Sequence, residues 1–229
     1  PEVRRAAVET LTAFPAADTA ATIVNGFGDG SPFVREQAEN SAVLMHPKRA
    51  MIEISATAVT SDNPLARVCA FNVLRRLDAV DQTALVVRQL RTEKRPDTIA
   101  AALFALARLG YADEPGLILS FVNHGAAEVR EAVATALKNV HKESAYLALD
   151  KLAEDEDNAV QRAAIESMGC LGNPHFAPKL LKVLTDVGER TIFTADHRAV
   201  ACWAAAKLRP VDAALVKRLL KHATTPVIP

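Results

Sequence analysis

The stretch VREAVATAL at residues 129–137 decides the fold, because it recurs in varied form along the chain. Residues 3–11 (VRRAAVETL) and residues 160–168 (VQRAAIESM) have the same layout. The motif begins at residues 3, 34, 66, 98, 129, 160 and 197, with weaker matches at 98 and 197. The steps are therefore 31, 32, 32, 31, 31 and 37 residues. A near-constant period of this length is the signature of a repeat protein.

Each motif predicts an amphipathic helix. When its first residue is counted as position 0, apolar or small residues fall at positions 0, 3, 4, 7 and 8, which form one stripe of a helix. Helix-start signals such as Ser31-Pro32 and Asn63-Pro64 precede several motifs, and glycines follow two of them. The predicted motif helices span about residues 2–14, 32–45, 64–78, 97–109, 127–140, 159–171 and 195–208.

A second amphipathic helix is predicted between successive motifs. No stretch alternates apolar and polar residues with the period of two that is typical of strands. One hairpin of this size cannot bury its own apolar stripe, so the hairpins are expected to stack on one another. The sequence thus predicts an all-α chain of about seven helical hairpins in one domain, residues 1–229. The second helices are predicted at about residues 16–27, 48–60, 81–92, 114–123, 143–154, 174–186 and 212–223.

The Val-Arg-x-Ala-Ala-x-x-x-Leu pattern, preceded by turns such as Asp29-Gly30-Ser31-Pro32, resembles the short bacterial HEAT-like repeat of the phycobilisome-lyase type. The resemblance covers nearly the whole chain and implies a right-handed α–α superhelix, a HEAT/armadillo-like solenoid whose motif helices line the concave side. Such proteins include scaffolds, adaptors, lyase subunits and a few enzymes, so the resemblance is specific for fold and not for function. Because the first and last predicted helices lack a hairpin partner, we expect a segment of a longer protein whose open ends contact other domains or copies.

Charge and composition restrict the classes of function. The 229 residues include 27 basic and 27 acidic side chains, a balance that argues against nucleic acid and anionic membrane as partners. Cys69, Cys170 and Cys202 are far apart and odd in number, so neither a disulfide framework nor a zinc site is predicted. No stretch reaches the roughly 20 apolar residues of a membrane span, and the first residues lack the layout of a signal peptide. We therefore expect a cytoplasmic protein.

The sequence contains no recognisable catalytic motif. Its histidines form neither His-Glu nor His-x-x-x-His pairs, and no phosphate-binding loop or nucleophile elbow occurs, so no metal and no cofactor are predicted. His197 and Cys202 could be read as a base and a nucleophile. Five residues along a helix, however, separate two side chains by about 140° around its axis. Two buried or half-buried side chains are the interpretation we favour.

Positions 5 and 6 of the motif are expected to face the concave groove, where a partner would bind. Aromatic side chains cluster there in the third, fourth and seventh repeats, with arginines beside them, which is typical of anchors for a peptide or helix. If the helical phase is off by one residue, these side chains are ordinary core residues instead. The predicted partner-binding residues are Phe71, Asn72, Arg75, Phe104, Arg108 and Trp203.

An arginine stands at position 1 of five motifs. The resemblance implies a structural ladder, in which each arginine bonds the turn aspartate or carbonyls of a neighbouring repeat, with Asp29 and Asp62 serving two of them. The alternative is a phosphate-binding row, which the neutral net charge argues against. The arginines are Arg4, Arg35, Arg67, Arg130 and Arg198.

These patterns predict a non-catalytic scaffold or adaptor that binds a protein partner, a peptide or helix, in the concave groove. The resemblance also implies two rival functions. A phycobilin lyase-type subunit would hold an open-chain tetrapyrrole near Cys202 and Trp203. A HEAT-like DNA glycosylase would need a basic concave surface, whereas Glu9, Glu39 and Glu166 lie on the predicted groove face.

Overall fold

A computed structural model describes residues 1–14, 16–186 and 192–209, together with Lys217. All regular elements of this described part are helices, which confirms the predicted all-α, solenoid-type fold class. The chain forms two compact units, one from Pro1 to Tyr111 and a second that begins at Ala112. Within the described residues, no helix combines the length and the apolar character needed to cross a membrane.

The first unit is a stack of helical hairpins in which motif helices alternate with second helices. Its motif helices begin within one residue of the predicted starts, and the second helices α2 and α4 also lie where they are predicted. Two short 3₁₀ turns, Gly26–Gly28 and Val80–Gln82, flank second helices. The helices are α1 (Glu2–Leu11), α2 (Ala17–Asn25), α3 (Pro32–Leu44), α4 (Lys48–Ala58), α5 (Pro64–Arg76), α6 (Thr83–Leu90) and α7 (Pro96–Arg108).

The second unit continues the same alternation, so that motif helices carry odd numbers in both units. The helix α8 is shorter than the predicted segment 114–123, because the Ser120 hydroxyl bonds the Leu117 carbonyl and the chain turns there. The predicted helix at 212–223 lies outside the described residues apart from Lys217. The helices are α8 (Pro115–Leu119), α9 (Ala127–Ala136), α10 (Glu143–Leu152), α11 (Asn158–Leu171), α12 (Ala177–Thr185) and α13 (Ala195–Lys207), with 3₁₀ turns at Leu137–Asn139 and Pro174–Phe176.

Local chemistry at the turns fixes where the motif helices begin and end. Proline occupies the first helical turn of α3, α5 and α7, where its missing N–H has no helical partner to lose. The Asn63 side chain accepts a hydrogen bond from the Leu65 N–H, and the Asp157 side chain caps α11 in the same way. Gly172 ends α11 with φ 61°, a left-handed conformation that favours glycine.

Small residues on the motif helices allow neighbouring hairpins to pack closely. Ala38, Ala70 and Ala102, at position 4 of successive motifs in the first unit, are completely buried. Larger side chains such as Phe27 and Phe176, which come from the 3₁₀ turns, fill the space at the helix ends of their own units. The core therefore consists of many small buried side chains that pack between adjacent helices.

Candidate functional site

Arg130 forms one of the two most buried ion pairs among the described residues, together with Arg67. Its Nε and Nη2 donate to the two carboxylate oxygens of Asp155 at 2.7 and 2.8 Å, and both side chains are only 10% exposed. Its Nη1 donates to the carbonyls of His124 and Gly125 in the turn that precedes its own helix. Burial acts to raise the pKa of Asp155, but hydrogen bonds from Arg130 and from the Asp157 N–H hold it below its ordinary value. Arg130 thus ties one turn to the next.

The same arrangement recurs at other first positions of the motif. Arg4 binds both oxygens of Asp29 in the following turn, and Arg67 binds Glu93 at 2.8 Å. In these two pairs and in that of Arg130, the arginine reaches the turn before the next motif helix. The prediction of a structural ladder is confirmed for these arginines.

Other members of the row make only part of this contact. Arg35 and Arg198 donate to carbonyls of their own turns, and Gln161 replaces arginine in that role. The predicted partner Asp62 contributes only its main-chain carbonyl, which accepts from Arg67 at 3.3 Å.

Phe71 does not lie on a binding face, and the prediction of its exposure is wrong. It is 0% exposed, like Leu103, Ala134 and Ile165 at position 5 of other motifs. In these four motifs, packing against neighbouring motif helices covers position 5, whereas Cys202 at the same position of the last motif is exposed. The buried side of these helices is therefore wider than predicted, because it includes position 5.

Position 6 does face outward in the first unit. Asn72 and Phe104, which occupy this position on the adjacent helices α5 and α7, are both half-buried. The Asn72 amide donates to the Glu39 carboxylate of α3 at 3.1 Å, which shows that α3 and α5 run in register. Arg75, one turn after Asn72, is also half-buried, and its Nε is buried without a hydrogen-bond partner. We call Asn72, Arg75 and Phe104 the α5–α7 face.

Arg108 lies at the end of α7 and already has a partner. Its Nε and Nη2 donate to both carboxylate oxygens of Asp78 at 2.7 and 3.1 Å. The hydrogen bond from Arg108 lowers the pKa of Asp78 below its ordinary value. The structure therefore places Arg108 in an exposed ion pair of the first unit.

Trp203 is exposed on the motif-helix face of the second unit. Its residue is 43% exposed, and the Lys207 ammonium lies 5.6 Å from the ring centroid, within cation–π range. The ring rests on Gly169 of α11, where a Cβ atom would come within 2.5 Å of the ring. The exposed Cys170 follows on α11; partial burial raises the pKa of its thiol, although the charges of Lys138 and Lys207 act in the opposite direction. We call Gly169, Cys170, Trp203 and Lys207 the Trp203 face.

A cavity in the first unit escaped the sequence analysis. It has a volume of about 540 Å³ and is lined by the turns before α3 and α5, including Gly28, Asp29, Ser61 and Asn63. These polar groups are engaged: Asn63 donates to the Gly28 carbonyl at 3.0 Å, and Ser61 accepts from the Asn63 N–H. The hydrogen bond from Arg4 is the main cause that lowers the pKa of Asp29 to about 2. Ser31-Pro32 and Asn63-Pro64 mark the two turns as helix starts in the sequence, but nothing in the sequence indicates the space between them.

The second unit also contains a histidine–carboxylate pair that sequence spacing could not reveal. The Nε2 atom of His175 lies 2.7 Å from Asp150, and the His175 ring packs against Tyr146 with centroids 5.6 Å apart. Twenty-five residues separate the pair, so only the packing of α10 against the following 3₁₀ turn brings the two groups together.

His197 serves as a helix cap. Its Nδ1 accepts from the Thr194 N–H at 2.9 Å, and its Nε2 lies 3.0 Å from the Asn158 carbonyl, so both ring nitrogens are engaged. Cys202 lies exposed on the same helix. Over residues 1–14, 16–186 and 192–209, no group of three or more His, Cys, Asp or Glu side chains is placed to hold a metal ion.

Comparison with known proteins agrees with this architecture. Residues 114–192 match the sequence profile of the family described as HEAT repeats. No curated protein sequence shows significant similarity to the chain.

Three solved structures share the fold at low sequence identity. The CpcE–CpcF complex of phycocyanin lyase from Nostoc sp. PCC7120 is 16% identical, with a TM-score of 0.58 over 96% of this chain and 88% of that one. A mutant of Kap121p is 13% identical, with a TM-score of 0.71 over 97% of this chain but only 30% of its own length. An engineered protein is 17% identical, with a TM-score of 0.57 over 87% of this chain and 95% of that one. The chain therefore has the all-α fold of these HEAT-like repeat structures, and residues 114–192 match the HEAT-repeat profile.

Proposed function

We propose that this protein is a non-catalytic scaffold or adaptor that binds a peptide or helix of a protein partner on the outward faces of its motif helices. The observation that supports this best is the exposure of Trp203. The equivalent positions of the other two motif helices in the second unit hold Thr135 and Glu166, which are polar. An exposed tryptophan surrounded by polar positions is the pattern of a binding anchor.

The energy available at this anchor is sufficient for specific binding. A tryptophan presents up to roughly 250 Å² of surface, so covering the exposed part of Trp203 buries roughly 100 Å². At about 25 cal/mol/Å², this contributes about 2.5 kcal/mol before the cost of ordering the partner. The Lys207 ammonium, which lies over the ring, can add a polar contact. In the first unit, Phe104 and Asn72 offer an aromatic ring and an amide on adjacent motif helices, so each unit has a face of its own.

Affinity purification from native lysate tests the proposal. The complete chain is compared with the Trp203→Glu variant, the Phe104→Glu variant and the double variant, after their helicity has been shown to be unchanged. Leu147→Glu and Phe33→Glu are matched controls, because both residues are exposed large apolar side chains outside the two faces. We expect a co-purifying protein that the controls retain and the double variant loses. Retention by the double variant, or equal loss in the controls, would contradict the proposal.

A chromophore-binding lyase subunit is the second candidate. The fold similarity to the CpcE–CpcF complex of phycocyanin lyase favours this function. The Trp203 face also offers suitable chemistry, namely an apolar ring, the Lys207 ammonium and the neighbouring thiol of Cys170. An open-chain tetrapyrrole carries both an extended π system and carboxylates. Addition of an open-chain bilin to the chain should then shift its visible absorbance, and Trp203→Glu should abolish the shift. An unshifted spectrum would remove this candidate.

A further inference from the structure

Arg75 is a half-buried arginine of α5 for which no carboxylate partner occurs among the described residues. It lies one helical turn after Asn72, so both side chains project from the same side of α5. Its Nε is buried without a hydrogen-bond partner, and no ion pair of Arg75 occurs among the described residues, although the side chain remains partly exposed. By contrast, Arg67 and Arg108 of the same unit each bind a carboxylate.

Two carboxylates that could pair with Arg75, one close in sequence and one on a packed helix, have other partners. Asp78 follows Arg75 by three residues, but it has left the helix with φ 52°, and both of its oxygens accept from Arg108. Glu39, on the neighbouring helix α3, accepts from the Asn72 amide. The buried Nε has lost its contact with water, and a carboxylate bound at the part of the Arg75 side chain that remains exposed can offset this cost by compensating the charge. The α5–α7 face therefore carries a positive charge that a bound anion would compensate.

Asn72 on the same helix and Phe104 on the neighbouring motif helix define which groups of a ligand can bind together with the anion. Phe104 is half-buried at position 6 of α7, which packs directly against α5. The ring can cover an apolar side chain, while the free carbonyl oxygen of the Asn72 amide can accept a main-chain N–H. Since a guanidinium binds a carboxylate in a fixed geometry, the acid and the apolar side chain of the ligand must lie close together.

We propose that Arg75 is the carboxylate-binding position of the α5–α7 face, and that the partner segment bound there carries an Asp or Glu next to an apolar residue. This inference rests on the proposed function and adds the chemistry of the partner at one point of contact. It assigns Phe104 to the apolar residue and Arg75 to the acid.

Nuclear magnetic resonance on the complete chain with ¹⁵N-labelled arginine side chains tests the assignment. The probes are two capped dipeptides, N-acetyl-Leu-Glu-amide and its neutral counterpart N-acetyl-Leu-Gln-amide, added up to the millimolar range. We expect the glutamate peptide to shift the Arg75 Nε–Hε signal in a saturable way and the glutamine peptide to leave it unchanged. The signals of Arg67 and Arg108 should stay in place, because their guanidinium groups already bind carboxylates.

A matched pair of variants separates a specific contact from general charge. Arg75→Gln and Arg76→Gln remove the same charge from adjacent residues of α5 that point in different directions. Arg75→Gln should weaken binding of the glutamate peptide at least about tenfold, the usual effect of losing a hydrogen bond to a charged group, whereas Arg76→Gln should change it less than about twofold. Equal effects of the two variants would overturn the inference.

The Phe104 ring signals distinguish failure of this inference from failure of the proposed function. If both peptides shift the Phe104 signals equally and the Arg75 signal does not respond, the face binds peptides but has no carboxylate position, and only the inference fails. If neither peptide shifts the Arg75 or Phe104 signals, the inference is overturned, and binding at the α5–α7 face loses its support as well. A response of both residues that is confined to the glutamate peptide supports both.

Discussion

The Arg130–Asp155 pair should stabilise the second unit far more than the similar Arg108–Asp78 pair stabilises the first. Both pairs use two parallel N–H to oxygen bonds, with first distances of 2.7 Å. They differ in burial, because the side chains of the first pair are 10% exposed and those of the second are 61% and 56% exposed. Arg130 also donates to the His124 and Gly125 carbonyls, so a double-mutant cycle is needed to separate the Arg–Asp contact from these bonds.

Burial sets the expected magnitudes. Removing one member of a buried pair leaves an uncompensated charge and costs about 3–5 kcal/mol, whereas exposed pairs contribute about 0–1 kcal/mol. Arg130→Leu should therefore lower the free energy of unfolding by about 3 kcal/mol or more. Arg130→Gln should cost less, because Gln161 shows that glutamine can keep the hydrogen bond to its own turn. The coupling between Arg130→Gln and Asp155→Asn should exceed about 1.5 kcal/mol.

Urea unfolding with two double-mutant cycles measures both couplings. Trp203 is the only tryptophan of the chain and lies in the second unit, so its fluorescence follows the unit that contains Arg130. The helical circular-dichroism signal follows the Arg108–Asp78 cycle, with a coupling expected below about 1 kcal/mol. If the buried pair shows no larger coupling than the exposed pair, the reasoning from burial is refuted.

Three further outcomes follow from the contacts. Gly169→Ala should destabilise the second unit by about 1–3 kcal/mol and change Trp203 fluorescence, because the new methyl group meets the ring. Gly125→Ala is the control, since a methyl group there meets no other atom, and equal urea midpoints for the two variants would contradict the prediction. Arg75→Met should leave the urea midpoint unchanged or raise it, because it removes a buried unpaired N–H; a clear loss of stability would show that Arg75 has a structural partner. Asp29 has its pKa lowered from 3.8 to about 2, so its contribution to stability is present above pH 4 and is lost as the pH falls toward 2. Carboxyl ¹³C titration should give that low midpoint, and a midpoint near 3.8 would contradict it.

The positions of the motif helices could be predicted from the sequence because local chemistry decides them. Pro32, Pro64 and Pro96 mark the first turns of three of these helices. Helix ends were less predictable, since the last turn tightens according to tertiary packing. The helix predicted to reach residue 140 ends at Ala136 and continues as the 3₁₀ turn Leu137–Asn139.

The candidate site could be predicted only in part, because burial at one position of a motif helix depends on neighbouring helices. Phe71 and Phe104 are the same residue type at adjacent motif positions, yet the first is buried and the second half-exposed. The apolar stripe of a single helix does not reveal which further positions its neighbouring helices will cover. Likewise, the three-residue spacing of Arg75 and Asp78 suggests a pair, but Asp78 leaves the helix and binds Arg108 instead.

Photocrosslinking in cells tests the central claim, that a protein partner binds the outward face of the motif helices. A photoreactive phenylalanine analogue is placed at Trp203 in one variant and at Leu147, an even more exposed apolar position on α10, in another. The account predicts a discrete adduct with one protein from position 203 and none with that protein from position 147. An adduct from position 147 alone, or no adduct from position 203, would contradict it.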